Sequence, residues 1–277
     1  MRISISAADR QSAMPQIKFT GDVAAICAKV APMGYEGLDL FFPKPSETDV
    51  AAVRRALEAN GLQVTMLGAH ADLMAQGLFL NRHATLPRLL EESRSHLAIC
   101  AELKGMPNVG FFRGQHKDVP GGREESLKYM AEGLHAYCEL AASYGVTVLL
   151  ENINRYEIDS IHTVAHAMDL LERAGAPANL RLLVDVFHMN IEESSLSAAI
   201  ARGGDRIGHV HFVDNTRAVP GFGCLDLDSL AECLGVAGYE GFLGLEAIPG
   251  DRPEEEAREG LAAVRAMLAR PSLRRPA

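Results

Sequence analysis

Short β-rich runs alternate along this chain with longer segments whose apolar residues recur three and four apart, and the cycle repeats eight times. Alternation of period two marks a strand and period 3.6 a helix, so the repeated switch describes successive strand–helix units. The spacing predicts strands at 2–6, 37–41, 63–67, 108–112, 146–150, 180–186, 207–212 and 242–245. Helices are predicted at 22–33, 46–60, 86–103, 123–144, 161–174, 195–202, 228–234 and 253–268. Ser46 has the side chain to cap the second helix, and Gly34 and Gly61 stop the first two because glycine tolerates the left-handed C-terminal conformation. The stretch 69–85 holds His70, Asp72, Met74, Phe79 and His83 without periodicity and reads as a long loop.

Eight units of this kind in 277 residues fit one α/β domain, a parallel TIM (β/α)8 barrel over residues 1–277, with 270–277 as a frayed basic tail. A doubly wound sheet would want a glycine-rich phosphate turn after an early strand, and the single Gly221-Phe-Gly223 comes far too late. Apolar residues make up 48% of the chain, enough for a large core, whereas the net charge of -9 leaves no basic stripe for nucleic acid. Five cysteines, odd in number and without a C-x-x-C pair, point to a reducing cytoplasm rather than to disulfides or a thiolate metal site. The N-terminus lacks an apolar signal core, and no run is long enough to cross a membrane.

Four of the apolar runs end on a residue able to bind a hard cation: Glu151, Asp185, His211 and Glu246. Parallel barrels carry their reactive groups at the C-terminal ends of strands, so the four converge on one mouth. Three oxygen donors and one nitrogen donor suit Mn²⁺ or Mg²⁺ better than a structural zinc. Periodicity puts His209 and His211 on the same side of their strand, and position at the strand's end favours His211 as the ligand. Glu157 lies in the loop after Glu151, His188 three residues beyond Asp185, and Arg217 after the seventh strand offers a planar donor fork.

The stretch from Leu149-Leu-Glu-Asn through Val184-Asp-Val-Phe-His188 and His209-Val-His to Gly244-Leu-Glu246 resembles the xylose-isomerase-like TIM barrels. Within them it is similar to the D-tagatose/D-psicose 3-epimerase and hydroxypyruvate isomerase branch. The resemblance implies that Glu151, Asp185, His211 and Glu246 hold one divalent metal, Mn²⁺ foremost with Mg²⁺ or Co²⁺ as substitutes. It implies that Glu157, His188 and Arg217 bind oxygens of a small carbohydrate, and that the chain pairs or forms tetramers as members of the group often do.

A metal-dependent sugar isomerase or epimerase is therefore expected, acting on a free ketose or small hydroxy-carbonyl compound through enediolate proton transfer. Glu151 and Glu246 would move the proton, one removing it and the other returning it on the opposite face. Hydroxypyruvate isomerase and inosose isomerase or dehydratase are the alternatives within the same fold. An abasic-site endonuclease is the outsider, since it needs further ligands, for which His70 and His116 are the candidates, and has a D-x-H where this chain has Asp226-Leu-Asp228.

Overall fold

The computed structural model describes residues 1–68 and 70–270; Ala69 and nearly all of the tail expected at 270–277 lie outside the described residues. Strands β1 (Arg2–Ala8), β3 (Gly37–Phe41), β4 (Gln63–Gly68), β5 (Met106–Pro107), β6 (Val148–Glu151), β7 (Leu180–Asp185), β8 (Ile207–His211) and β9 (Phe242–Leu245) run parallel. Their order is β5-β4-β3-β1-β9-β8-β7-β6, and the two ends meet through one parallel bridge between Asn108 and Leu149, so the ring is nearly closed. A two-residue strand β2 (Phe19–Thr20), not expected from the sequence, pairs outside the ring with β1.

Between the strands lie α1 (Val23–Val30), α2 (Val50–Ala59), α3 (Ala71–Ala75), α4 (Leu86–Leu103), α5 (Gly122–Ser143), α6 (Val164–Arg173), α7 (Val186–Glu192), α8 (Leu196–Gly203), α9 (Leu227–Val236) and α10 (Pro253–Leu268). Alternation sorts each strand's side chains into two layers. Ile3, Ile5, Leu38, Leu40, Leu150, Val184 and Val210 pack in the main core, while Ala8, Phe41, Met66, Leu149 and Leu183 fill the inside of the ring. On that inward register stand Asp39, Glu151, Asp185, His209 and His211, all buried. Among the described residues no helix is long and apolar enough to cross a membrane.

Several expected boundaries move for identifiable reasons. Ser46 does not cap the second helix: Pro45–Glu47 form a 3-10 turn, and Asp49 accepts the Ala52 amide at 2.9 Å instead. Helix α6 starts later than expected because Ile161 adopts a left-handed φ of 55°, leaving Thr163 as the cap. The fourth strand is not 108–112 but Met106–Pro107, since the chain after Gly110 turns into a 3-10 segment tied back by Arg113. The loop expected at 69–85 contains α3 and a 3-10 turn at His83–Thr85. The strand expected to reach Val186 ends at Asp185, whose carboxylate accepts the His188 amide at 3.1 Å and so starts α7.

Candidate metal centre and substrate cavity

The four expected ligands come together. His211 Nδ1 lies 3.4 Å from Asp185 Oδ2, 3.6 Å from Glu151 Oε1 and 3.6 Å from Glu246 Oε2. Register explains this: Asp185 and His211 are direct partners across β7 and β8, and Glu246 follows β9 on the same inward side. His209 sits one step deeper and turns to Asp39 at 3.0 Å, while His211 alone of the two also reaches Glu151 and Asp185. Asp39 is a residue the sequence reading missed. Its carboxylate accepts from Ser4 at 3.1 Å and from Thr65, and its other oxygen lies 3.7 Å from His211 Nε2. Gly244 makes room for it, because a Cβ there would stand 2.0 Å from Asp39 Oδ2.

A divalent cation fits Glu151, Asp185 and His211, whose donor atoms all lie within 4.8 Å of one another. Asp185 Oδ2 and His211 Nδ1 are buried, face each other and have no hydrogen-bond partner, an arrangement costly to leave unsatisfied. Of the three buried carboxylates, Glu246 is bonded by Arg217 and Asp185 lies 3.6 Å from it, whereas Glu151 has no ion pair with that guanidinium among the described residues. The site answers this excess of negative charge by holding protons. Burial pushes Glu246 up to about 7, with Glu151 and Asp185 adding to the effect against His211 and Arg217. Burial opposes the charged form of His211, but Glu246, Asp185 and Glu151 outweigh it and raise the imidazole well above its ordinary range. Burial would also neutralise Glu151, yet its contacts with His211 and His188 hold it below the usual carboxylate range. Asp185 is held down in the same way, by His188, His211 and Arg217.

The three expected substrate residues line the adjoining cavity. Asn154 donates to Glu157 Oε1 at 2.9 Å and contacts His188 Nδ1 at 2.7 Å. An amide nitrogen can only donate, so Nδ1 accepts and the His188 proton sits on Nε2, 3.9 Å from Glu151 and 3.7 Å from Asp185. Arg217 occupies a left-handed turn with φ of 59°; its guanidinium lies 3.4 Å from Glu157 and 4.9 Å from the centre of the Phe187 ring. The turn is organised by Asp214, which accepts the amides of Asn215, Gly221 and Leu225.

Three further residues carry parts that the sequence reading did not assign. Asn108 donates to Glu151 Oε2 at 2.6 Å. Asn154 fixes His188 as described. Arg113, fully buried, donates to the carbonyls of Gly110, Glu151, Ser160 and Ile161, thereby tying the end of β6 to its loops. His70 and His116 do not join the ligands: His70 Nε2 meets the Tyr137 hydroxyl at 2.7 Å, and His116 lies outside the cavity. Asp226 caps α9 and Asp228 pairs with Arg270 at 2.8 Å.

The family model described as xylose isomerase-like TIM barrel matches residues 27–267. The chain belongs to that family. Among its relatives, a ketose 3-epimerase of Arthrobacter globiformis is 37% identical over 214 residues, covering 77% of this chain and 73% of that protein. A 3-dehydro-D-guloside 4-epimerase of Escherichia coli is 28% identical over 242 residues, covering 85% and 91%. The apo crystal structure of a 3-keto-D-glucoside 4-epimerase from E. coli superposes with a TM-score of 0.75 at 25% identity, covering 96% of this chain and 100% of that one.

Proposed function

We propose that this member of the family is a divalent-metal-dependent epimerase of a ketosugar, with Glu151 and Glu246 as the proton-transfer pair. The observation that carries the reading is geometric: two buried carboxylates stand across His211 from each other, Glu151 Oε1 and Glu246 Oε2 each 3.6 Å from its Nδ1. A base must start empty and its partner acid full, so the scheme requires the two carboxylates to differ in protonation when metal and substrate are bound. The epimerase names of the relatives agree with it.

Glu151, Asp185, His211 and Glu246 would hold the metal, Mn²⁺ in the first instance, with Mg²⁺ or Co²⁺ able to replace it. When bound, it supplies positive charge against the oxygen that becomes anionic on enolisation. Glu151 removes the proton from the carbon beside the carbonyl, using the oxygen not turned to His211, Oε2, whose position Asn108 fixes. Glu246 returns a proton to the opposite face of that carbon from Oε1, while Arg217 holds Oε2. The His188 Nε2 proton and the Arg217 fork steady oxygens that gain charge. Glu157, its side chain 34% exposed, orients a hydroxyl at the cavity's edge.

The test is a panel of free ketohexoses and 3-ketoglucosides offered to Mn²⁺-loaded protein in D₂O and followed by NMR. Deuterium is expected at the inverted carbon of at least one sugar. Inversion without deuterium would refute the proton-transfer scheme.

A further inference from the structure

We infer that the site takes a ketosugar bearing an apolar substituent, such as an alkyl or aryl glycoside, in preference to a free ketohexose. This rests on the epimerase reading and names its substrate class. The cavity has a volume of about 660 Å³. A free ketohexose, about 12 non-hydrogen atoms each taking about half of a water molecule's ~30 Å³, displaces on the order of 200 Å³ and leaves most of that space unfilled.

The unfilled part has a distinct chemistry. Glu151, His188, Arg217 and Glu246 come from the ends of β6, β7, β8 and β9, on one half of the ring. The other half, beyond the ends of β1, β3, β4 and β5, presents Met14, Phe41, Phe42, Met74 and Phe111 to the same cavity beside Ser12, Gln16 and Asn108, and Phe187 and Ile248 extend the apolar surface on the first half. Met14, Met74 and Phe111 are only half-buried and so turn apolar surface toward the open mouth. A sugar with hydroxyls around its whole rim would leave some of them against this wall without partners. A ring or alkyl group joined to the sugar would cover the wall while the reacting carbon stays beside Glu151 and Glu246. His70 borders the wall but does not bring charge to it, because burial drives its pKa down to about 3.

Two readouts test the inference on the metal-loaded protein. In the first, kcat/KM is compared for free D-fructose and for methyl and phenyl 3-ketoglucosides. In the second, calorimetry compares binding of the unreactive methyl and phenyl glucosides. The phenyl compound should exceed the methyl one at least about tenfold in both, the discrimination an apolar pocket gives. Met74→Ala, at a half-buried position, should shrink that ratio. Equal affinities for the two glucosides, or fructose matching the phenyl substrate, would overturn the inference. Solvent exchange with flat calorimetry would remove the apolar substituent and leave the epimerase. A calorimetric preference without exchange into any sugar would leave the wall assigned and refute the epimerase.

Discussion

Replacing Asp39 with asparagine keeps its volume and its contacts with Ser4 and Thr65 but removes the charge that faces His209 and His211. Burial by itself would raise Asp39; the neighbouring imidazoles and the Thr65 hydroxyl outweigh it and bring it from 3.8 to about 2. At 1.36 kcal/mol for each pH unit this is about 2 kcal/mol of folding stability at neutral pH. The sign follows from the depressed folded-state value: the contribution is complete above about pH 4 and is lost as pH falls toward about 2. Asp39→Asn should therefore cost about 2 kcal/mol in urea unfolding at pH 7 and much less near pH 2. Asp39 also faces the back of His211, where a carboxylate steers the imidazole and raises its basicity as a ligand, so Mn²⁺ affinity should fall about 10–100-fold. Calorimetric Mn²⁺ titration of both proteins measures this. Unchanged Mn²⁺ affinity together with unchanged stability at pH 7 would refute the supporting role of Asp39.

Other perturbations follow from the same contacts. Stripping divalent ions with EDTA should abolish turnover and lower Tm by several degrees relative to protein held at 100 times its Kd for Mn²⁺, where binding contributes about 2.7 kcal/mol; an unchanged Tm would refute metal binding by the folded protein. Arg113→Met removes a donor from four carbonyls, of which those of Gly110 and Ile161 keep a backbone N–H, so urea unfolding should show a loss of at least about 2 kcal/mol. Asn154→Ala frees the His188 tautomer and the Glu157 carboxylate, and should lower kcat about 10-fold or more with Mn²⁺ affinity retained; a loss of metal binding instead would make Asn154 part of the ligand shell.

The barrel and the four residues gathered at its mouth were legible because they depend on local period. Glu151, Asp185, His211 and Glu246 each end an apolar run, and the inward register of parallel strands does the rest. What supports them depends on contacts between distant segments. Asp39 looks like a stray acid between Leu38 and Leu40 until β3 is placed beside β1 and β9 beyond it. Helix α7 was hidden because Asp185 serves both as strand end and as N-cap, and one residue type cannot announce both uses. The true fourth strand was obscured by Val109 and the two phenylalanines after Gly110, which read as β-forming but follow a turn imposed by Arg113 from within.

The central proposal is that Glu151 removes a proton from one face of the substrate carbon and Glu246 delivers a different, solvent-derived proton to the other. Its most direct test is solvent deuterium exchange by Glu246→Gln and Glu151→Gln, each shown by metal analysis to retain Mn²⁺. Each variant is predicted to lose net epimerisation by at least about 1000-fold while still exchanging deuterium into one epimer only, with opposite epimers labelled by the two variants. Near wild-type epimerisation by metal-loaded Glu246→Gln would contradict the account.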